Sequence, residues 1–485
     1  MNSSSVQRAL SIKELLCELF SYSSASENAT NGRVCKAWFD EALNYTWSAI
    51  EIRCLVSLLA PLKVSNGNFI FTRGIGVGDW ARFDAYAWRV RKLTFSGRWE
   101  QSSVFAEIAI TRPRIELLPN LTSLTFTTYV PYKTVTLFGH SAVQSLALPD
   151  TVLFVPENLE IENDSQSKLG YLSTRMPDLR ALSIQYKYDE PRTVASLVQF
   201  LGPTLRDLPF LESLKIPDFW MTGTLIHHLA LHPRLRCIKA FPTGRPFDLA
   251  IALPPSAVHF PSLDCLALTM SFNNATWLAQ LHNTKGLTSL SLRYLRSTSL
   301  QDDWPPLLGI ITSQFRSLEE LSLASKHGWR TTPSAADLRA VCSLPRLRTF
   351  HLLSPYNLET DIDEASLVSI FRASPQLESF RIPHASAIRL SCINELAPIA
   401  TNLEILELTW SASAVPIHAL HRFPRLAHLC GYIDASTVNT EQVARFMSRV
   451  LPAECTVYFE PLDDSNPDWY MIDEFLSAFR DEVHG

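Results

Sequence analysis

Hydrophobic positions along this chain fall into short trios separated by longer amphipathic stretches. The trios begin at Val90, Leu121, Val143, Leu179, Leu211, Leu235, Leu263, Leu287, Leu318, Leu347, Leu377, Leu403 and Leu426. Their spacing runs from roughly 22 to 36 residues and averages about 28, and self-similarity at such a period marks a repeat architecture. Within a trio, Leu-x-Leu places two apolar side chains on one face of a strand and the middle one on the other. Leu214 with Ile216, and Leu406 with Leu408, are therefore predicted to face a core. Between trios, Asp363–Ala373 carries Leu367, Ile370 and Phe371 at helical spacing, and 440–451 carries Val443, Phe446 and Val450.

Apolar trios are cheap in a chain that is 46% hydrophobic, but proline gives an independent check. Pro119, Pro177, Pro209, Pro233, Pro261, Pro345, Pro375 and Pro424 each stand two residues before the first leucine of a trio. With 30 prolines in 485 residues, about one such coincidence is expected by chance. Proline lacks a backbone donor and biases its predecessor away from helix, so it should end a helix and open an extended stretch. Strand and helix then alternate, and each unit buries its apolar face against its neighbours. The expected fold is an α/β leucine-rich-repeat solenoid (a horseshoe) over 90–460. No asparagine follows the trios at the usual place, so an asparagine ladder is not expected, and uneven unit lengths predict uneven curvature. The acidic end, 461–485, places Trp469, Ile472, Phe475 and Phe479 on one helical face and reads as a C-terminal capping helix.

Composition narrows the function classes. Net charge is −5 with no block of like charge, which argues against nucleic acid or an acidic membrane surface as partner. No stretch approaches the length of a membrane span, and the first residues show no signal-peptide pattern. Nine scattered cysteines without a C-x-x-C pair fit a reducing compartment, cytoplasmic or nuclear. Cys237, Cys265 and Cys430 fall within trio segments and read as small core residues.

A different pattern precedes the repeats. Ile12, Leu15, Leu16, Leu19 and Phe20 recur at helical spacing, and after a polar linker GRVCKAWFDEALNYTW carries Val34, Cys35, Trp38 and Trp47. Next, in DWARFDAYAWRVRKLTF, Asp79 reads as the cap of a helix whose Trp80, Phe83, Ala87 and Val90 form one stripe. The stretch from Leu10 to Trp47, with IKELLCELFSY and RVCKAW, resembles an F-box. With the segment from Asp79 to Phe95, the chain resembles the F-box and leucine-rich-repeat proteins expanded in mushroom-forming (basidiomycete) fungi. The resemblance implies a helical F-box-like module at 8–52, a linker and N-terminal capping helix at 53–89, and then the repeats. It further implies a non-catalytic substrate receptor of a ubiquitin ligase, docking a Skp-family adaptor, and through it a cullin, while the repeats hold a protein substrate. Carried over by position, the adaptor-binding set is Ile12, Leu15, Leu16, Leu19, Phe20, Val34, Cys35, Trp38 and Trp47, of which some are expected to build the module's own core and others its docking surface. Lys13 stands where the family has proline, and SSASENATNG replaces leucines in the middle of the box. A second reading therefore stays open, a leucine-rich-repeat scaffold that no longer binds the adaptor.

Substrate contacts are expected on the strand face of the repeats. The trio frame turns Lys215, Lys239, Arg293, His351, Arg381 and Glu407 outward, with Trp220 and Trp410 close by, a mixed charged and aromatic surface suited to protein recognition. No catalytic constellation competes with this. GIGVGD from Gly74 lacks the strand-turn-helix context of a dinucleotide site and reads as a loop. His227, His228 and His232 have no carboxylate or cysteine at ligand spacing and read as the end of a helix, so no metal or other cofactor is expected.

Overall fold

The computed structural model describes residues 12–97, 99, 102–153, 161–186, 201–241, 258–270, 281–282, 286–294, 304–325, 333–354, 362–383, 386–413, 415, 421–434, 440–461, 476 and 479. The chain divides into two compact units, Met1–Pro217 and Asp218–Gly485. Of the expected C-terminal helix, Trp469, Ile472 and Phe475 lie outside the described residues. Leu476 and Phe479 are buried, and the Arg445 guanidinium lies over the Phe479 ring at 4.9 Å.

The first unit opens with three helices, α1 (Lys13–Ser21), α2 (Ala25–Asn31) and α3 (Lys36–Ser48). Strand Ala49–Glu51 follows without a linker and pairs in parallel with Lys92–Phe95, so the sheet begins inside the stretch expected to be helical. An antiparallel hairpin, Leu62–Ser65 with Asn68–Phe71, interrupts the run. Its turn is Asn66-Gly67, both at positive φ (50° and 78°), the Asn-Gly signature of a tight two-residue hairpin. The capping helix spans Val77–Ala87, with Trp80, Phe83 and Ala87 buried as the stripe predicts. Asp79 is not its cap but its third residue. Its carboxylate accepts from the Gly76 N–H at 2.8 Å and from both guanidinium nitrogens of Arg73 at 2.7 and 2.8 Å. Parallel strands Lys92–Phe95, Ser123–Phe126, Ser145–Pro149, Ala181–Gln185 and Ser213–Pro217 then pair in sequence order.

In the second unit the parallel order is Cys237–Phe241, Cys265–Met270, Ser289–Tyr294, Glu320–Ser325, Thr349–Leu353, Ser379–Ile382, Ile405–Ser411, His428–Asp434 and Thr456–Pro461. Helices Trp304–Gln314, Ala335–Cys342, Glu364–Ala373 and Thr440–Val450 connect successive strands. Their starts carry the expected chemistry. Asp363 accepts from the Ser366 N–H at 2.8 Å, and Ser334 and Asp337 form a reciprocal capping box. Each unit is thus an α/β leucine-rich-repeat solenoid.

Two backbone features define the repeat. The residue before Pro accepts from the leucine three on: Leu118 from Leu121 at 3.0 Å, Leu208 from Leu211 at 3.1 Å, Leu344 from Leu347 at 3.2 Å, Ser374 from Leu377 at 3.1 Å. The motif is therefore a β-turn with proline at its second position, where a fixed φ is pre-set, and not the start of the strand. Phe315–Leu318 and Ala400–Leu403 close the same turn without proline. Next, one carbonyl per repeat accepts two N–H groups from the following repeat. Thr288 accepts from Glu319 and Glu320, Glu319 from Arg348 and Thr349, Arg348 from Glu378 and Ser379, at 2.7 to 3.0 Å. The polar residue between proline and leucine adds a rung. Asn120 donates to the Trp88 carbonyl at 2.7 Å, and Gln376 to that of Leu344 at 2.9 Å.

With register fixed, inward residues stack in rows. In the second unit Leu290, Leu321, Phe350, Phe380, Leu406 and Leu429 are direct partners in succession, and all are buried. The next row inward, through Leu408, passes at Gly431 through a residue whose φ is +141° before it reaches Phe459. A Cβ there would lie 1.7 Å from the Leu408 carbonyl oxygen, so only glycine lets the two backbones approach. Cys237, Cys265 and Cys430, expected in the core, stand half-exposed on the outer face. They alternate with the buried Ile238, Leu266 and Leu429, and the strand phase, not apolar character, decides their direction.

Leu321→Ala should lower stability by about 2–5 kcal/mol, the cost of a cavity in a sealed core. Pro345→Ala should lower it by about 0.4–1 kcal/mol, because only turn pre-organisation is lost. Gly431→Ala, which forces a backbone clash, should exceed the proline variant several-fold. Urea denaturation followed by circular dichroism would rank the three.

Candidate functional site

Two surfaces carry the residues singled out from sequence. On the N-terminal module, Leu16, Phe20 and Ala42 form a sealed core, with Trp38 and Tyr45 packed against it. Phe20 meets Trp38 edge-on at a ring separation of 5.5 Å. Leu16 and Phe20 are each 2% exposed, so they hold the module together and are not available for docking. Ile12, Leu15 and Leu19 lie on the neighbouring stripe of α1 and are 45%, 42% and 50% exposed. Val34 and Cys35, in the turn before α3, are also exposed. Trp47 stacks on Tyr86 of the capping helix at 4.5 Å and is half-buried there. Tyr22 and Phe39, exposed on the same module, were missed by the sequence reading; Tyr22 continues the i, i+3, i+7 stripe of Ile12, Leu15 and Leu19.

Polar chemistry replaces the leucines absent from the middle of the module. Ser24 and Glu27 form a capping box at the start of α2, and the Asn28 amide donates to the Phe20 carbonyl at 2.9 Å and the Ser23 carbonyl at 3.2 Å. Lys13, where a rigid helix start was absent, pairs with Glu41 of α3 at 2.9 Å. The Glu41 carboxylate raises the Lys13 ammonium above its ordinary range. The Arg89 guanidinium donates to Asn44 at 3.0 Å and ties α3 to the end of the capping helix.

The second surface is the outer strand face. Lys215 lies there in the first unit, half-buried. In the second unit Lys239 and Arg293 are exposed, while His351, Arg381 and Glu407 are half-buried and adjacent by register. Only these last three are brought together. The His351 Nε2 lies 2.9 Å from the Ser379 hydroxyl, and an Arg381 nitrogen lies 3.7 Å from a Glu407 carboxylate oxygen. Burial first, and the Arg381 guanidinium next, push the His351 imidazole down to about 4 from an ordinary 6.5, against the pull of Glu320. Burial raises the Glu407 carboxyl, which Arg381 partly offsets. The two tryptophans are corrections. Trp410 is fully buried because it follows Leu406 and Leu408 by the strand period of two and so shares their inward face. Trp220, in the turn Asp218–Trp220, is also buried.

The end of this face carries functional side chains that no sequence motif marks. Tyr458 is exposed and donates to Glu460 at 2.9 Å, and Cys430 lies between Glu407 and Tyr458 in the same row. Strand Thr456–Pro461 carries no Pro-x-Leu motif, although its Val457 and Phe459 alternate correctly with Tyr458 and Glu460. Gly74 and Gly76 precede the capping helix in a loop, and His227 and His228 sit in helix Gly223–Ala230, as read. Among the described residues no group of three or more His, Cys, Asp or Glu side chains could hold a metal ion, and no helix is long and apolar enough to cross a membrane.

No protein-family model matches the chain, and no curated protein matches it. Among solved structures it is similar to the leucine-rich repeat-containing protein LegL7 from Legionella pneumophila, at 14% identity and a TM-score of 0.31, covering 72% of this chain and 94% of that one. It is also similar to the Rad7 and Elc1 complex of yeast, at 12% identity and a TM-score of 0.36, covering 84% of this chain and 94% of that one. A third is the TLR13–ssRNA13 complex, at 18% identity and a TM-score of 0.39, covering 72% of this chain and 53% of that one. At TM-scores this low the repeat assignment rests on the strand register and not on the overlays.

The His351 shift has a defined consequence. Its folded value lies below the unfolded one, so the unfolded chain binds the extra proton between pH 6.5 and about 4. Its contribution is fully present above pH 6.5 and is lost as pH falls through that window. Denaturation midpoints measured across the window should fall less steeply for His351→Gln than for the unmodified chain.

Proposed function

We propose that the chain is the substrate-recognition subunit of a Skp-cullin-F-box ubiquitin ligase, with the helical module docking a Skp-family adaptor and the outer strand face holding a protein substrate. One observation carries this reading. Six of the thirteen exposed large apolar side chains among the described residues lie between Ile12 and Phe39, on a module whose own core is already filled by Leu16, Phe20 and Ala42. Apolar side chains left outside a completed core suit burial against a partner. Such a receptor performs no covalent step. It raises the effective concentration of a substrate lysine beside a charged conjugating enzyme. The His351, Arg381, Glu407 row and the exposed Tyr458 would supply the polar and aromatic contacts to that substrate.

Affinity purification of the full chain from cells, followed by mass spectrometry, tests adaptor and substrate together. A Skp-family adaptor and a cullin should co-purify. Leu15→Asp and Leu19→Asp, which leave the module core intact, should weaken adaptor binding by about ten-fold or more, as loss of a docking hot spot does. Recovery of repeat-bound partners with no adaptor would instead favour a repeat scaffold acting outside any ligase.

A further inference from the structure

Cys237 and Cys265, a full repeat apart in sequence, meet on the outer strand face of the second unit. They are direct partners in the parallel register between Cys237–Phe241 and Cys265–Met270. Neighbouring strands lie about 4.8 Å apart, inside the ~4.4–6.8 Å separation of Cα atoms that a disulfide spans. Both thiols point the same way, because the next residue in each strand, Ile238 and Leu266, is buried on the opposite face. Both are half-exposed, whereas Cys342, Cys392 and Cys455 are sealed in the interior. No other two of the nine cysteines are partners in any strand register of the described residues. Cys430, the remaining strand-face thiol, faces Glu407 and Tyr458 instead.

The surroundings suit thiol chemistry. The Cys265 thiol is hydrogen-bonded to Cys237, and this contact, followed by burial, raises it above the ordinary thiol range. Lys239, exposed two residues beyond Cys237 on the same face, and Ser289, the next register partner of Cys265, act in the opposite sense. That hydrogen bond keeps the Cys265 thiol protonated, so the first attack is assigned to Cys237.

We propose that Cys237 and Cys265 form a redox-active pair that closes to an intrachain disulfide by exchange with a low-molecular-weight disulfide such as oxidised glutathione. The Cys237 thiol gives up its proton and its sulfur attacks one sulfur of the small disulfide, breaking the S–S bond and releasing one small thiolate, which takes up that proton. The Cys265 sulfur then gives up its proton and attacks the Cys237 sulfur, breaking the mixed disulfide and releasing the second small thiol. The two cysteines lose two electrons and two protons, and one small disulfide becomes two thiols. Half-exposure gives the co-reactant access, which rates of exchange require. Closure links two adjacent repeats beside Lys239 and removes both thiols from the recognition face. This site is independent of the N-terminal module and of whether it docks an adaptor.

The test uses the full chain, reduced and then held with oxidised glutathione, quenched in acid, alkylated and digested without reductant. Mass spectrometry should find the peptide Cys237–Lys239 joined to the one containing Cys265, lighter than the two reduced peptides by two hydrogens and released by dithiothreitol. The exposed Cys35 and Cys54 should carry single glutathione adducts and serve as a measure of exposure alone. Cys265→Ser should stop at a glutathione adduct on Cys237, and Cys237→Ser should slow modification of Cys265 about ten-fold. Separate adducts on Cys237 and Cys265, or two alkylated thiols while Cys35 and Cys54 are already modified, would overturn the proposal. The unmodified chain carries the deciding readout, so a poorly folding variant does not alter the outcome.

Discussion

A single main-chain carbonyl in each repeat, accepting two N–H groups from the next, sets the register on which the molecule depends. Arg91, Thr122, Gln144 and Arg180 supply it in the first unit, and Arg236, Asp264, Thr288, Glu319, Arg348, Glu378 and Glu404 in the second. Because side chains alternate along a strand, a slip of one residue would turn every inward leucine to solvent. The carbonyls therefore protect the core as well as the ladder. A fully buried leucine contributes about 1.5–3 kcal/mol, and the rows place one such side chain over another through successive strands. The Arg236–Asp264 and Arg348–Glu378 ion pairs at the same positions are largely exposed and contribute about 0–1 kcal/mol each. Backbone register and apolar burial decide the fold; the charged ladder only decorates it.

The turn before each strand is subordinate to that register. Proline pre-sets its geometry at Pro119, Pro209, Pro345 and Pro375, yet Phe315–Leu318 and Ala400–Leu403 form it without proline. Burial of Leu318 and Leu403 holds the turn closed in those two repeats. The polar residue just before the first leucine has its own use: Asn120 and Gln376, after proline, and Asn402, after Thr401, each reach back to a carbonyl of the previous repeat. Where repeats of this class use asparagine after the strand, this chain uses the carbonyl pair and an amide before it.

The N-terminal module shows the same economy of apolar residues. A capping box and the buried Asn28 specify α2 where leucines would otherwise do so. Its leucines on α1 divide into Leu16, which is internal, and Leu15 and Leu19, which are not. Parallel pairing of Ala49–Glu51 with Lys92–Phe95, together with Trp47 against Tyr86, joins the module to the first repeats without a linker.

Much of this was legible in the sequence because it depends on local periodicity. The strand period of two assigned Leu214, Ile216, Leu406 and Leu408 to the interior and Lys239, Arg293, His351, Arg381 and Glu407 to the outer face, and the helical period located Glu364–Ala373 and Thr440–Val450. The same rule, carried two residues further, would have placed Trp410 inside. The exposed stripe of α1 was visible as spacing, but not the division between core and surface, which depends on what α3 covers. Only the tertiary structure could bring Cys237 beside Cys265, or His351 beside Arg381 and Glu407. Those contacts join residues a repeat apart, and their alignment is set by hydrogen bonds between strands, not by anything within one strand.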